Sequence, residues 1–409
     1  MNMRVPNFRH LRAFREVAAT RSVSGAAGRV HLSQPAITQA IAKLEEQLGT
    51  ALFERRSDGM IPTETGEMFL GRSERALGLI RTGAREAVRI GAKKGGRGFA
   101  NFDQLLTTAQ LRALVAVSRA GNFSLAARNV GISQPTLHRA ARDLERLSGL
   151  TLFSKTSQGI ELTPAAVALS QAVKLAFAEL EQGFSEIEET LGIDAATIVV
   201  GALPLPRAYV LPAAINLLTQ ERPEVRVSVV DGPYNDLLHD LRHGEIDLLV
   251  GALRDPVPID DVSQEALFSD PLLVVARTDH PLAGKAKITL DDLAAYPWAV
   301  PRENTPTRAY FDRLFSGRPM PASIVESSSM VLIRELLLKS DRLTLTSAHQ
   351  IRHERSMGLL SPLNVDLPAG MWRPIGVTLR RGWRPTVTQS RFLDCLREAG
   401  RLSGGAEVA

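Results

Sequence analysis

A shift of 100 residues lays this chain on itself. Leu11-Arg12-Ala13 falls on Leu111-Arg112-Ala113, Ser33-Gln34-Pro35 on Ser133-Gln134-Pro135, and Leu52-Phe53 on Leu152-Phe153, with no insertion or deletion between them. Comparing 11–66 with 111–166 at that offset gives 20 identities in 56 positions, among them Ala26-Ala27, Leu44-Glu45, Gly49, Gly59 and Thr63. A repeat in fixed register means one fold unit built twice, so the first half of the chain must house two equivalent cores.

Each copy reads as three helices, a hairpin and a longer helix. Leu11, Phe14, Val17 and Ala18 keep helical spacing, 22–30 is short and alanine-rich, and Ile37, Ile41, Leu44 and Leu48 share a face after Ser33. Ser33 is an N-cap residue with Pro35 in the first turn, and Gly49 stops the helix. The stretch 52–60 reads as a strand, a basic turn and a strand, which is a wing. A longer helix with Phe69, Ala76, Leu77, Ile80, Ala84 and Ala87 on its apolar face then runs to about Ile90. Its counterpart uses Leu169, Val173, Ala176, Phe177, Leu180, Phe184 and Ile187. From Thr197 the texture changes to alternating strands and helices, with strands expected at 198–200, 225–230, 247–251 and 272–276. The expected boundaries are 6–66 for the first winged unit, 67–90 for its linker helix and 91–104 for a flexible basic linker. A second unit follows at 105–164, a second linker helix at 165–191 and an α/β domain at 195–400.

Composition narrows the function classes. The single Cys395 forms neither an internal disulfide nor a metal cluster. No run of about 18 apolar residues occurs, and Met1 to His10 lacks a signal-peptide core, so a cytoplasmic location without a membrane partner is expected. No Gly-rich phosphate loop appears, and His239, Asp240 and His243 share a helix with no nucleophile nearby, so neither catalysis nor a cofactor is expected. Residues 1–100 hold 17 Lys/Arg against 9 Asp/Glu, residues 101–190 hold 8 against 9, and 191–409 hold 24 against 26. The positive field is therefore local to the first copy, which favours a polyanion such as DNA.

A short helix, a tight turn and a third helix capped by Ser-Gln-Pro push a helix N-terminus into a major groove. The groups offered to bases are Ser33, Gln34, Pro35, Thr38 and Gln39 in the first copy. In the second they are Ser133, Gln134, Pro135, Thr136, His138 and Arg139. Arg55, Arg56 and Lys155 would hold phosphates from the wings.

Both copies resemble the N-terminal winged helix-turn-helix of LysR-type transcriptional regulators, from Ala26-Ala27 through Ser33-Gln34-Pro35 and Leu44-Glu45 to Gly49, Leu52-Phe53 and Thr63. The remainder resembles that family's two-lobed, type 2 periplasmic-binding-like effector domain in 241–247, Asp279-His280-Pro281-Leu282 and Asp292-Leu293. Within it Asp231-Gly232-Pro233-Tyr234, Ser327-Ser328-Ser329, the run 343–349 and Arg373-Pro374-Ile375-Gly376 are similar to the subgroup named for a galactose-binding-protein regulator. The implied fold is α/β overall: two all-helical winged units, then the α/β effector domain. The implied partners are operator DNA, a small-molecule effector, RNA polymerase and further copies of the chain in a dimer or tetramer. The chain departs from the family by carrying two DNA-binding units instead of one, by Pro62 in place of a usual leucine, and by Ala166 where Gly66 fits the pattern.

The doubling raises the question of what the two long helices pair with. Residues 67–100 carry 8 basic and 3 acidic residues, whereas 167–190 carry Lys174 against Glu179, Glu181, Glu186, Glu188 and Glu189. Opposite charge favours pairing within one chain, and pairing between chains stays open at this stage. Effector contacts are expected from loops after strands: Pro206 and Arg207, Thr305, Thr307 and Arg308, Ser328 and Ser329, Thr346 and Ser347. A sugar or a hydroxy or carboxylic acid suits such groups. The rival readings are a non-specific architectural DNA-binding protein, and a ligand-binding or enzymatic domain with vestigial DNA-binding units.

Overall fold

Apolar residues at helical spacing, closed by small polar caps, make three short helices in each repeat. In the computed structural model, which describes residues 4–91, 101–157, 159–193 and 196–404, the first repeat runs α1 (Phe8–Thr20), α2 (Val23–Val30) and α3 (Gln34–Leu48). A wing of β1 (Phe53–Arg56) and β2 (Gly59–Pro62) and the long α4 (Glu64–Gly91) follow. The second runs α5 (Thr108–Ala120), α6 (Phe123–Val130), α7 (Gln134–Ser148), β3 (Phe153–Thr156), β4 (Gly159–Leu162) and α8 (Pro164–Thr190). Ser22, Ser33, Asn122, Ser133 and Thr163 each accept a first-turn backbone N–H, and Gly49 and Gly149 end α3 and α7 in the left-handed region. The units are therefore not all-helical, because each contains an antiparallel hairpin. Of the linker expected over 91–104, Gly91 ends α4, 92–100 lie outside the described residues, and Phe102–Leu105 form a 3-10 turn with Phe102 buried.

The chain divides into two units, Met1–Ala196 with His243–Glu245, and Thr197–Arg242 with Ile246–Ala409. In the first, both repeats share one continuous apolar core, from Phe8, Phe14 and Phe69 to Leu114, Phe177 and Phe184. Helix α4 lies antiparallel on α8: Phe69 meets Phe184, Arg75 meets Glu179, Gly83 lies against Ala172 and Gly91 near Ala165. Arg72 is buried in this seam and donates to Glu179 (2.9 Å), Gln182 (2.9 Å) and Glu186. A pseudo-two-fold relation extends to the N-termini. Arg12 donates to the Leu106 carbonyl and its counterpart Arg112 to the Val5 carbonyl, while Thr108 Oγ1 accepts from Phe8 N–H. Arg4 adds ion pairs with Glu181 and Glu188.

Specific contacts, not net charge, make this pairing. Helix α4 holds five Arg and four Glu, and the excess counted over 67–100 comes largely from Lys93, Lys94 and Arg97, outside the described residues. Burial opposes the charges of Arg72 and Glu179. The Glu186 and Glu179 carboxylates nevertheless hold Arg72 above its ordinary value, and Arg75 and Arg72 hold the Glu179 carboxyl below the usual carboxylate range.

The second unit is an α/β domain on one sheet. Its strands are β5 (Thr197–Ala202), β6 (Arg226–Asp231), β7 (Leu248–Ala252), β8 (Val262–Arg277), β9 (Trp298–Val300), β10 (Ile324–Glu326), β11 (Leu343–Ser347), β12 (Leu360–Pro362) and β13 (Trp372–Arg380). Their order is β10-β9-β11-β8-β13-β7-β5-β6, with β12 also on β8. The 16-residue β8 pairs with β13 over Val262–Pro271 and with β11 over Leu272–Val275, so it serves both lobes. Its first half escapes pattern reading because Gln264, Glu265, Ser269 and Asp270 interrupt the apolar residues. One lobe packs around Leu237, Leu241, Ile246, Leu249 and Val262, the other around Trp298, Phe311 and Phe315. Where β13 crosses between them, a Cβ at Gly376 would lie 2.0 Å from the Glu265 carbonyl oxygen, so only glycine permits that approach.

Glu179→Gln should destabilise the first unit by about 3 kcal/mol at pH 7, because it removes the buried carboxylate that Arg75 pairs with and leaves Arg72 to Glu186. Glu179's lowered folded pKa makes its contribution fully present above the unfolded value near 4.3 and lost as pH falls through the folded one. Denaturant titrations should therefore show the gap between variant and parent narrowing below about pH 4.3; an unchanged gap would contradict an ionic contribution.

Candidate DNA interface and effector site

The burial of Ile37, Ala40, Ile41, Leu44 and Leu48 turns the opposite face of α3 outward. Ser33, Gln34, Pro35, Thr38 and Gln39 are exposed on it. The Ser33 hydroxyl is occupied as a cap, accepting from Ala36 N–H at 3.3 Å, and Thr38 Oγ1 donates to the Gln34 carbonyl. Arg55 and Arg56 are exposed on the wing, with Arg56 turned onto Glu54 at 2.7 Å. The wing is held by the turn after α1. Met60 N–H donates to the Arg21 carbonyl, and Gly59, at φ 123°, comes so close that a Cβ would lie 2.3 Å from that oxygen.

The second copy repeats this frame, with Ile160 N–H donating to the Gly121 carbonyl and Gly159 at φ 138°. In both copies a glutamate missed as a working residue fastens the wing: Glu45 accepts from Leu52 N–H and Glu145 from Leu152 N–H, each at 2.8 Å. The recurrence of Leu-Glu at the fixed offset was the signal for it. Ser133, Gln134, Pro135, Thr136, His138, Arg139 and Lys155 are all exposed. Here, however, Gln134 accepts from Ser124, the Ser133 and Thr136 hydroxyls bond at 2.7 Å, and the His138 ring stands edge-on to Phe123 at 4.9 Å.

In the α/β unit the expected effector residues separate into two groups. Thr307, Thr346 and Ser347 are buried and come together; Thr307 sits in α9 (Pro306–Leu314) and the other two end β11. Thr346 Oγ1 donates to Gln350 Oε1 and Ser347 Oγ accepts from Gln350 N–H, while Arg373 reaches Thr307 Oγ1, Gln350 Oε1 (3.4 Å) and Asp270 Oδ2 (3.0 Å). The others lie apart from this network. Pro206 is buried in a 3-10 turn, Thr305 caps α9, and Ser329 caps α10 (Met330–Leu338). Ser328 is exposed, Arg207 pairs with Asp231, and Arg308 is committed to Asp312 and Glu326. Their hydroxyls or guanidinium groups serve helix ends and ion pairs.

The centre of the network, Asp270 and Arg373, was not among the expected residues. They lie 103 positions apart on β8 and β13, where the two strands pass between lobes. Both are almost fully buried, and Asp270 Oδ1 and Arg373 Nε have no hydrogen-bond partner among the described residues. Burial pushes the Asp270 carboxyl above the usual carboxylate range against the pull of Arg373, and lowers the Arg373 guanidinium. Nearby, Tyr209 of one lobe stacks on His349 of the other (5.7 Å, 20°), and Phe268 meets His349 edge-on. Among the described residues no group of three or more His, Cys, Asp or Glu could hold a metal ion, and no helix is long and apolar enough to cross a membrane.

The family described as "LysR substrate binding domain" matches residues 192–401, and "Bacterial regulatory helix-turn-helix protein, lysR family" matches twice, at 8–67 and 108–167. The HTH-type transcriptional regulator GalR of Pseudomonas putida KT2440 is 33% identical over 400 residues, 97% of this chain and 98% of its own. The uncharacterized HTH-type transcriptional regulator YdcI of Escherichia coli K12 is 30% identical over 282 residues, covering 68% of this chain and 91% of its own. Among solved structures, a full-length OxyR variant from Pseudomonas aeruginosa aligns with TM-score 0.54 at 24% identity, over 73% of this chain and 95% of its own. Full-length CbnR complexed with its target DNA aligns with TM-score 0.50 at 19% identity, over 71% and 98%. These structures share the fold.

Arg373→Ala should cost the α/β unit about 3 kcal/mol by stranding a buried carboxyl, whereas Asp270→Leu with Arg373→Met should lie much nearer the parent. Denaturant midpoints of the three proteins check this; a double variant as unstable as Arg373→Ala would mean that the pair's packing, not its charge, matters.

Proposed function

The chain belongs to the LysR family of DNA-binding transcription regulators, and we propose that its two winged units form one intramolecular head whose recognition helices read two half-sites of a single operator. The observation that carries this reading is the antiparallel packing of α4 on α8 over one shared core, sealed by Arg72 and Glu179. Base-edge contacts come from Ser33, Gln34, Pro35, Thr38 and Gln39 and from Ser133, Gln134, Pro135, Thr136, His138 and Arg139; Arg55, Arg56 and Lys155 supply phosphate contacts. With the α4 face covered by α8, assembly into a dimer or tetramer uses other surfaces. The protein acts in the cytoplasm as a regulator and not an enzyme, and communicates with RNA polymerase.

Its effector is a small polar molecule, a sugar or a hydroxy or carboxylic acid, bound between the lobes. The buried cluster of Thr307, Thr346, Ser347, Gln350, Asp270 and Arg373 supports that class. A spare donor at Arg373 Nε and a spare acceptor at Asp270 Oδ1 suit a hydroxyl, which both gives and takes a hydrogen bond. Binding there biases lobe closure about β8 and β13, and closure alters how the head sits on DNA.

Genomic footprinting of the intact protein tests the head. Changing Ser33, Gln34 and Gln39 to Ala, or Ser133, His138 and Arg139 to Ala, should each abolish occupancy of the same sites. Loss with the first set alone would make the second unit a structural remnant. For the effector, a thermal-shift panel of sugars, hydroxy acids and carboxylic acids should raise the melting temperature with one class, and Thr307→Val should weaken that ligand about tenfold, a loss of ~1.4 kcal/mol. An undiminished shift would remove Thr307 from the site.

A further inference from the structure

The two winged units keep one scaffold and carry two different reading surfaces. Inside, Leu11 and Leu111, Val17 and Val117, Ala26 and Ala126, Leu44 and Leu144, and Leu52 and Leu152 are all buried. Outside, the helices share Ser-Gln-Pro and then part company: Thr38 stands where the second copy has His138, Gln39 where it has Arg139, and Arg56 where it has Thr156. A unit kept only as a spacer has no use for new long donors on its exposed face. This copy retains its caps, its wing anchor and its core, and gains an exposed guanidinium at the position equivalent to Gln39.

Gln39 and Arg139 speak different parts of the groove code. A glutamine amide pairs bidentately with adenine N6 and N7, whereas a guanidinium pairs with guanine O6 and N7. A symmetric dimer of identical units must read identical half-sites, but this head relates unlike units by the pseudo-two-fold of α4 and α8. We infer that the operator unit recognised by one chain is asymmetric: two inverted half-sites that differ at the base pair under Gln39 and Arg139, adenine in one and guanine in the other. The inference rests on the head reading both half-sites, as set out under the proposed function.

Selection of binding sites from randomised duplex DNA by the full-length protein tests it, with Gln39→Arg, Arg139→Gln and the double exchange run in parallel after a melting curve for each. The parent should enrich paired, unlike half-sites. Gln39→Arg should bring guanine to the equivalent position in both, Arg139→Gln should bring adenine to both, and the double exchange should transpose them, each preference shifting about tenfold or more. If two chains bind together, the unlike pair simply recurs. Identical half-sites for the parent, or a preference that ignores the exchanges, would overturn the asymmetric operator while leaving the two-unit head intact. Enrichment of a single half-site would overturn both, and so would no enrichment at all.

Discussion

A guanidinium taken out of water has to meet its counter-charge, and Arg72 meets Glu179 and Glu186 only across the seam between α4 and α8. The repeat offset shows what like pairing would do. Position 72 corresponds to Ala172 and position 179 to Leu79. Two α4 helices would set each Arg72 against leucine in place of Glu179 and leave it only Glu86, the counterpart of Glu186, while two α8 helices would bury each Glu179 against alanine. The second arrangement strands a buried carboxylate at a cost of several kcal/mol per group, and the first forfeits one of the two carboxylates that hold Arg72. Backbone spacing lets the helices close up: Gly83 admits the Ala172 methyl, and its counterpart Gly183 admits the stem of Arg72. The seam is thus built for unlike helices, and one chain supplies both. Everything distinctive about the head, from the shared core to the pair of unlike reading surfaces, depends on that match.

The effector unit poses the same problem with a different outcome. Asp270 and Arg373 also form a buried pair, but theirs lies on the two strands that run between lobes and is left incompletely satisfied. A fully satisfied network stiffens a core, while one with an unpaired buried donor and acceptor still carries their desolvation cost. The stack of Tyr209 on His349 spans the same two lobes. A small molecule that completes the network shifts closure only by as much as it binds one lobe arrangement better than another.

Much of the head was legible in the sequence because its signals are local. Caps, stop glycines, helical periodicity and the fixed offset all act within a few residues or at one constant spacing, and they placed the helices and wings and the exposed polar face of α3 and α7. What escaped was of another kind. Arg72 sits at helical spacing with Phe69, Ala76, Ile80 and Gly83, so a charged residue inside the apolar stripe was the overlooked sign of a partnered seam. Summed charge pointed toward pairing for a less specific reason, since three of the basic residues it counted belong to 93–97. In the effector unit, serines and threonines after strands mark helix caps as readily as ligand contacts: Thr305 and Ser329 are caps and Ser328 is exposed, while Thr307, Thr346 and Ser347 join the buried network. Asp270 and Arg373 meet through a strand pairing that no local pattern announces.

Whether the seam closes within one chain is open to direct chemical test. A Cβ at Gly91 would lie 3.6 Å from that of Ala165, so Gly91→Cys with Ala165→Cys, in a Cys395→Ala background, sets two thiols at disulfide distance across it. After mild oxidation of the full-length protein, denaturing electrophoresis without reductant should show a cross-linked species of single-chain size that shifts on reduction. A covalent dimer as the main product would place α4 and α8 on different chains and contradict the intramolecular head.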